Sequence, residues 1–223
     1  MRTEAEAMNM DKITDGQLTI VVAGPVGFGN NIYVVIDRET GEAAFIDAPG
    51  DAAANAEAAG FGGVRPSKIL LTHSHGDHTS AIDGLKEAFG CSLHANPKEP
   101  WLKPEQIDVE VAHRDEVRVG NLVFQAIAVP GHTPGSTTYL WGKHAFVGDT
   151  LFPGGPGRSV SNEALREEIA SITNRLYSLP DDTVIYPGHG AQATIGVSRA
   201  EYAIFAAKEH DPGLHGDVSW LES

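Results

Sequence analysis

Thr72-His73-Ser74-His75-Gly76-Asp77-His78 packs three imidazoles and one carboxylate into seven residues, directly after the apolar run Lys68-Ile69-Leu70-Leu71. Side chains two apart on an extended chain point the same way, so His73 and His75 can face one metal ion together. Gly76 lets the chain turn sharply and aims Asp77 and His78 at a second point close by. Imidazole with carboxylate is the ligand chemistry of zinc, iron or manganese, and such sites with open positions are catalytic. A solvated histidine-rich loop would need no such spacing and no partners further along the chain.

Partners are present downstream. His132 lies in Val129-Pro130-Gly131-His132-Thr133-Pro134-Gly135, Asp149 in Phe146-Val147-Gly148-Asp149-Thr150, and His189 in Tyr186-Pro187-Gly188-His189-Gly190. Each follows a short β-like run, at 122–129, 144–147 and 183–186. Loops at strand ends on a rigid scaffold are where catalytic residues concentrate.

The rest of the pattern alternates sheet and helix. Residues 18–23, 31–37 and 43–47 read as strands, the last two joined by a turn at Glu39-Thr40-Gly41. The Ala-rich stretch 51–59 reads as a helix ended by Gly60. A buried strand is expected at 68–72, a helix at 79–89 with Ile82, Leu85 and Phe89 on one face, and a strand at 92–95. Hairpins are expected over 117–129 and 136–147. The clearest helix is 163–179, with Leu165, Ile169, Ile172 and Leu176 on one side, and a last helix covers 199–209. Strands and helices alternate in two similar halves, a mixed layered α+β arrangement.

The chain has 223 residues, of which 41% are hydrophobic, enough for one large domain with a real core. A single domain over 1–223 is expected, with 1–15 free to be disordered. The formal charge of −14 argues against nucleic acid, which is bound by clustered Lys and Arg. Cys91 is the one cysteine, so no internal disulfide can form. Residues 1–12 lack the apolar stretch of a secretory signal, and no run approaches the roughly 20 apolar residues of a membrane span. Together these favour a cytoplasmic setting, no membrane partner and a small-molecule substrate, with a homodimer left open.

The ordered set His73-x-His75-x-Asp77-His78, then His132, Asp149 and His189, resembles the metal-binding set of the metallo-β-lactamase superfamily, from about Asn30 to His189. The resemblance implies a four-layer αββα sandwich with the metals at the edge between the sheets. It implies one site from His73, His75 and His132, a second from Asp77, His78 and His189, and Asp149 bridging both. Two divalent ions, zinc foremost and iron or manganese otherwise, would share a water and make hydroxide at neutral pH. Asp77 and Asp149 would be the catalytic carboxylates, with Asp77 orienting the water.

The turns around 72–78, 130–136, 148–152 and 187–189 are similar to those of the hydroxyacylglutathione hydrolases (glyoxalase II-like), which cleave thioesters. Thioester or small-ester hydrolysis is the leading expectation. That group carries a further helical region that binds the thiol carrier, and the short stretch after His189 leaves those contacts without a counterpart. Arg158, after Asp149, is a candidate for holding a substrate carboxylate, with a surface salt bridge as the other reading. Asp47, at a strand end, is a candidate to hydrogen-bond a metal-ligating histidine from behind or to cap the next helix.

Four other functions compete. A persulfide dioxygenase resembles the chain in the same turns but holds one iron through two His and one Asp, here His73, His132 and Asp149. A lactonase would look to Tyr33 or Tyr186 as oxyanion helper. A metal-stabilised binding module would keep the ligands without turnover. A true β-lactamase fits less well, because one group needs a Cys at the second site and Cys91 lies outside every motif. His94, His113, His144, His210 and His215 also lie outside the motif turns and read as surface or packed residues. The segment Gly24-Pro25-Val26-Gly27-Phe28-Gly29 reads as a turn near the site.

Overall fold

The computed structural model describes residues 8–223. Its first half builds a seven-stranded sheet. Four antiparallel strands, β1 (Asn9–Asp15), β2 (Leu18–Val26), β3 (Asn30–Asp37) and β4 (Ala43–Ile46), are followed by three parallel ones, β5 (Lys68–Leu70), β6 (Ser92–Ala95) and β7 (Val109–Glu110). Helix α1 (Ala52–Gly62) joins β4 to β5. Helices α2 (Gly76–Thr79) and α3 (Ile82–Phe89) join β5 to β6.

The second half repeats the plan. Strands β8 (Glu116–Val119), β9 (Leu122–Ala128), β10 (Thr137–Trp141) and β11 (His144–Gly148) form an antiparallel meander. A small pair, β12 (Leu151–Phe152) and β13 (Gly155–Pro156), leads to α4 (Asn162–Ser171). Strand β14 (Val184–Pro187) then pairs parallel to β11, β15 (Ala193–Thr194) closes the edge, and α5 (Ile195–Ala206) packs behind.

Period-two alternation on each strand makes the layers. In β3, Ile32, Val34 and Ile36 face one way and join Val21, Phe45, Ile69, Leu71, Ala58, Leu85 and Leu93 under α1 and α3. Tyr33 and Val35 face the other way and meet Phe124, Tyr139, Phe146 and Tyr186 from the second sheet. The far face of that sheet packs Val147, Ile185, Leu165, Ile172, Leu176, Ile195, Phe205 and Trp220 under α4 and α5. The order is helix, sheet, sheet, helix: the expected four-layer sandwich. Strands buried on both faces read as continuous apolar runs, which is why β3 and β4 were legible.

Several boundaries differ from expectation for physical reasons. Residues 9–15 form β1 rather than a disordered start. The Asp15-Gly16 step turns the chain with Gly16 at φ 55, and Met10 and Ile13 pack on the two cores. Residues 1–7, including most of the stretch read as lacking a secretory signal, lie outside the described residues. The helix expected over 79–89 is two pieces, the first of which starts at Gly76. Ala48 intrudes between them: its N–H donates to His78 O and its carbonyl accepts from the Ala81 N–H, both at 2.9 Å. α1 runs two residues past Gly60 and stops at Gly63, φ 74. The helix expected over 163–179 passes into a wider π turn at Ile172–Leu176, where Thr173 Oγ1 bonds Ile169 O. The last helix begins at Ile195, capped by Thr194, and not at 199. No helix among the described residues is long and apolar enough to cross a membrane.

Candidate metal centre

The site forms where the strand ends of both sheets meet. The loop after β5 brings His73 and His75, and the first turn of α2 brings Asp77 and His78. The β9–β10 turn supplies His132, the residue after β11 is Asp149, and the residue two past β14 is His189. Backbone bonds tie these loops across the sheets. Thr137 N–H donates to Thr72 O at 2.8 Å, Asn31 N–H to Gly188 O at 2.7 Å, and Gly188 N–H to Gly148 O at 3.0 Å. The Tyr33 hydroxyl donates to Pro187 O at 2.8 Å.

All seven predicted residues converge. The ring nitrogens of His73, His75 and His132 gather within 4.8 Å of one another, and so do the donor atoms of Asp77, His78 and His189. Asp149 faces both groups. Its Oδ2 is 4.0 Å from His73 Nε2, 3.9 Å from His132 Nε2 and 3.5 Å from His189 Nε2, while Oδ1 is 3.3 Å from His78 Nε2. Two ligands of a tetrahedral zinc at about 2.1 Å stand roughly 3.4 Å apart, so these separations suit ions between the groups. Burial supplies the sharper test. His73 Nε2 and Asp149 Oδ1 are buried with no hydrogen-bond partner. Buried polar atoms are normally paired, and a cation would pair both.

The outer nitrogens are fixed from behind. His78 Nδ1–H donates to Asp47 Oδ2 at 2.8 Å. The same carboxylate accepts from the Thr72 N–H at 2.7 Å and the Thr72 hydroxyl at 2.8 Å, and Thr72 Oγ1 lies 3.1 Å from His73 Nδ1. One carboxylate therefore orients a histidine of each group. Asp47, His73 and His78 also cluster closely enough to hold a metal, but the Asp47 oxygens are already engaged. Asp47 does this from φ 59, a conformation costly for a non-glycine residue. His132 Nδ1–H donates to Arg158 O at 3.1 Å. Glycine is required at Gly188, where a Cβ would overlap Asp149 Oδ1 and His78 Cε1, and at Gly157, where it would overlap Asp149 O.

Charge divides the site. Burial holds His73 well below the usual imidazole range, lowers His75, and takes His132 to about 4. Burial would also lower His78, but the Asp149 and Asp47 carboxylates beside it outweigh burial and lift His78 to about 10. The Asp149 carboxylate, 3.5 Å away, raises His189. Burial pushes Asp149 up, yet His189, His78 and His73 hold it well below the usual carboxylate range. Burial acts likewise on Asp77, and the Asn30 amide and His78 keep it low.

Family-model comparison closes the question of kinship: residues 25–189 match the metallo-beta-lactamase superfamily. The chain belongs to that superfamily. An uncharacterized protein of Aquifex aeolicus is 33% identical over 205 residues, covering 82% of this chain and 94% of its own. The hydroxyacylglutathione hydrolase of Chelativorans sp. is 42% identical over 155 residues, 69% of this chain and 59% of its own. The chain thus spans about three fifths of that relative. Among solved structures, ETHE1 from Myxococcus xanthus superposes with TM-score 0.68 at 29% identity, over 85% of this chain and 80% of its own. TTHA1623 in a di-iron-bound form superposes with TM-score 0.67 at 28% identity, over 81% and 96%.

The surrounding residues that carried two readings in the sequence separate by their contacts within this metallo-beta-lactamase frame. Arg158 does not reach the site with its side chain. Its guanidinium is exposed and donates to Asp217 Oδ2 at 3.0 Å, so the surface salt-bridge reading holds and only its carbonyl serves the site. Tyr33 and Tyr186 are buried core residues bonded to Pro187 O and His144 Nδ1, not oxyanion donors. Asp47 does not cap α1; Asp51 does, accepting from the Ala54 N–H at 2.8 Å.

Sequence reasoning passed over Asn30. It is fully buried; its Nδ2 donates to Asp77 Oδ2 at 2.8 Å and lies 3.2 Å from His189 Nε2. The available signal was a polar residue opening a strand that is buried at every position but Asn31. Phe28, 86% exposed, stands beside it in the β2–β3 turn. It lines a cleft of about 190 Å³ with Gly27, Gly50, Gly76, Asp77 and Ser80.

Proposed function

We propose that this protein is a metal-dependent hydrolase that cleaves a thioester or related small ester of a small molecule. The observation that carries the reading is Asp149, a low-pKa carboxylate set between two histidine groups, one of its oxygens buried and unpaired. His73, His75 and His132 would hold one divalent ion, Asp77, His78 and His189 a second, and Asp149 would touch both, with zinc the first candidate. Such ions supply Lewis acidity toward an ester carbonyl and lower the pKa of water.

The chain's own groups do the rest. Asp47 and the Arg158 carbonyl fix the ring orientations of His78 and His132. Asn30 holds Asp77 with its carboxylate partly open to solvent, where it can orient an attacking water. The relationship to hydroxyacylglutathione hydrolases supports thioester chemistry. The thiol carrier is not transferred from those relatives, because the chain spans only part of their length.

The likeness to ETHE1 favours one second reading: a persulfide dioxygenase with a single iron on His73, His132 and Asp149. Elemental analysis of protein purified without chelators separates the two. Two metals per chain with thioester turnover supports the hydrolase. One iron per chain, with oxygen uptake on a persulfide and no thioester turnover, supports the dioxygenase.

A further inference from the structure

Glu99 is only 3% exposed, and no ion pair is formed by it among the described residues. Its two oxygens divide between the two loops that carry the first histidine group. Oε2 accepts from the Ser74 N–H at 2.6 Å, between His73 and His75. Oε1 accepts from the Thr133 hydroxyl at 2.6 Å, one residue past His132. Thr133 is held in turn by Ser136, whose Oγ accepts from the Thr133 N–H at 3.1 Å. There is no slack around the carboxylate: a Cβ on Gly135 would meet Glu99 Oε1 at 2.7 Å and its backbone N at 2.8 Å.

Glu99 itself is anchored. Its N–H donates to Asn96 O at 3.1 Å, in the turn that follows β6. Two residues on, the Trp101 N–H donates to Ser74 Oγ at 3.3 Å, and its ring lies 4.8 Å from the ring of His75. These contacts fall on the loops of His73, His75 and His132, and not on Asp77, His78 or His189.

Burying a carboxylate is costly unless its hydrogen bonds are made. If the volume only needed filling, an apolar side chain would do so at lower cost. Two short bonds to two different loops do something an apolar filler cannot: they set the distance between those loops. We infer that Glu99 is a positioning residue for the first histidine group, fixing the spacing of the His73–His75 loop against the His132 loop and so the ligand geometry of one metal ion. The inference rests on the metal-centre reading above.

The test is stepwise Zn²⁺ titration of chelator-stripped protein by calorimetry, with Co²⁺ absorption spectra as a second readout. Glu99→Ala should weaken one of two binding steps by about tenfold or more, leave the other unchanged and alter the Co²⁺ spectrum. Glu99→Gln should restore the weakened step, because its Oε1 still accepts from Ser74 and its Nε2–H can donate to Thr133 Oγ1. If Glu99→Ala does not fold, Thr133→Val severs one tether alone and should weaken the same step less. Wild-type affinities in the Ala and Val variants overturn the inference. So does a Gln variant as weak as Ala, which would make the charge and not the placement decisive. A wild-type chain that binds no Zn²⁺ would overturn the metal-centre reading itself, and this role with it.

Discussion

Burial lowers the pKa of His73, His75 and His132, whereas His78 and His189 lie against carboxylates that raise theirs. The two groups are a few Å apart and share Asp149, so distance does not separate them. What separates them is the second partner. Asp47 pairs directly with His78 and Asp77 with His189, while among the described residues the rings of the first group pair with no carboxylate but Asp149, and Glu99 contacts its loops and not its rings. A metal entering the first group would meet rings whose pKa burial has lowered. One entering the second must displace protons. Geometry alone would have made the two positions look equivalent.

The strongest way to break this comparison is to remove what the groups share. Asp149→Ala should cost both, lowering metal content and cutting turnover by about a thousandfold. Elemental analysis with steady-state kinetics checks this, and two retained metals with full turnover would show that Asp149 bridges nothing. Asp47→Ala should act unevenly. It frees the outer nitrogen of His78 and should weaken one binding step by about 10–100-fold; equal weakening of both steps would mean that its bonds to Thr72 matter as much.

Acidity sharpens the contrast. A raised imidazole pKa means that metal competes with protons throughout the neutral range. Affinity at the second group should fall about tenfold per pH unit for each proton displaced. The first group, with His132 at about 4, should hold nearly constant affinity from pH 8 to about 6. Calorimetry in buffers of different ionisation enthalpy counts the protons, and identical release in both steps would erase the distinction. Two substitutions outside the groups should do little. Arg158→Ala breaks an exposed pair with Asp217 and should leave KM within about twofold; a tenfold rise would restore it as a substrate contact. Cys91→Ser should leave kcat nearly unchanged, because the thiol is buried and donates to Pro66 O. A large loss of kcat with the fold intact would contradict that.

The legibility of the molecule follows the range of the interactions. β3 and β4 were readable because both faces are buried and the runs Ile32 to Ile36 and Ala43 to Ile46 are hydrophobic. The break between α2 and α3 was not, because it is made by the backbone of Ala48, more than thirty positions away. β1 escaped notice because an edge strand half open to solvent carries only a weak pattern, although Asp15-Gly16 marked its turn. Asn30 and Glu99 were missed for the same reason as the α2–α3 break. Each is a single polar residue in an unremarkable setting, and its partners come from distant loops.

The sequence by itself determined the donor atoms and their order, because imidazole and carboxylate chemistry belongs to residue type and the glycine-flanked turns are local. It also determined a mixed layered alternation of strands and helices, with the helix, sheet, sheet, helix stacking implied by the family resemblance. Only the tertiary structure decided which histidines have their pKa lowered and which raised, which nitrogen of each ring faces inward, and that Arg158 turns away to Asp217. Protonation and ring orientation depend on burial and on hydrogen bonds from residues far along the chain, and no local pattern carries that information.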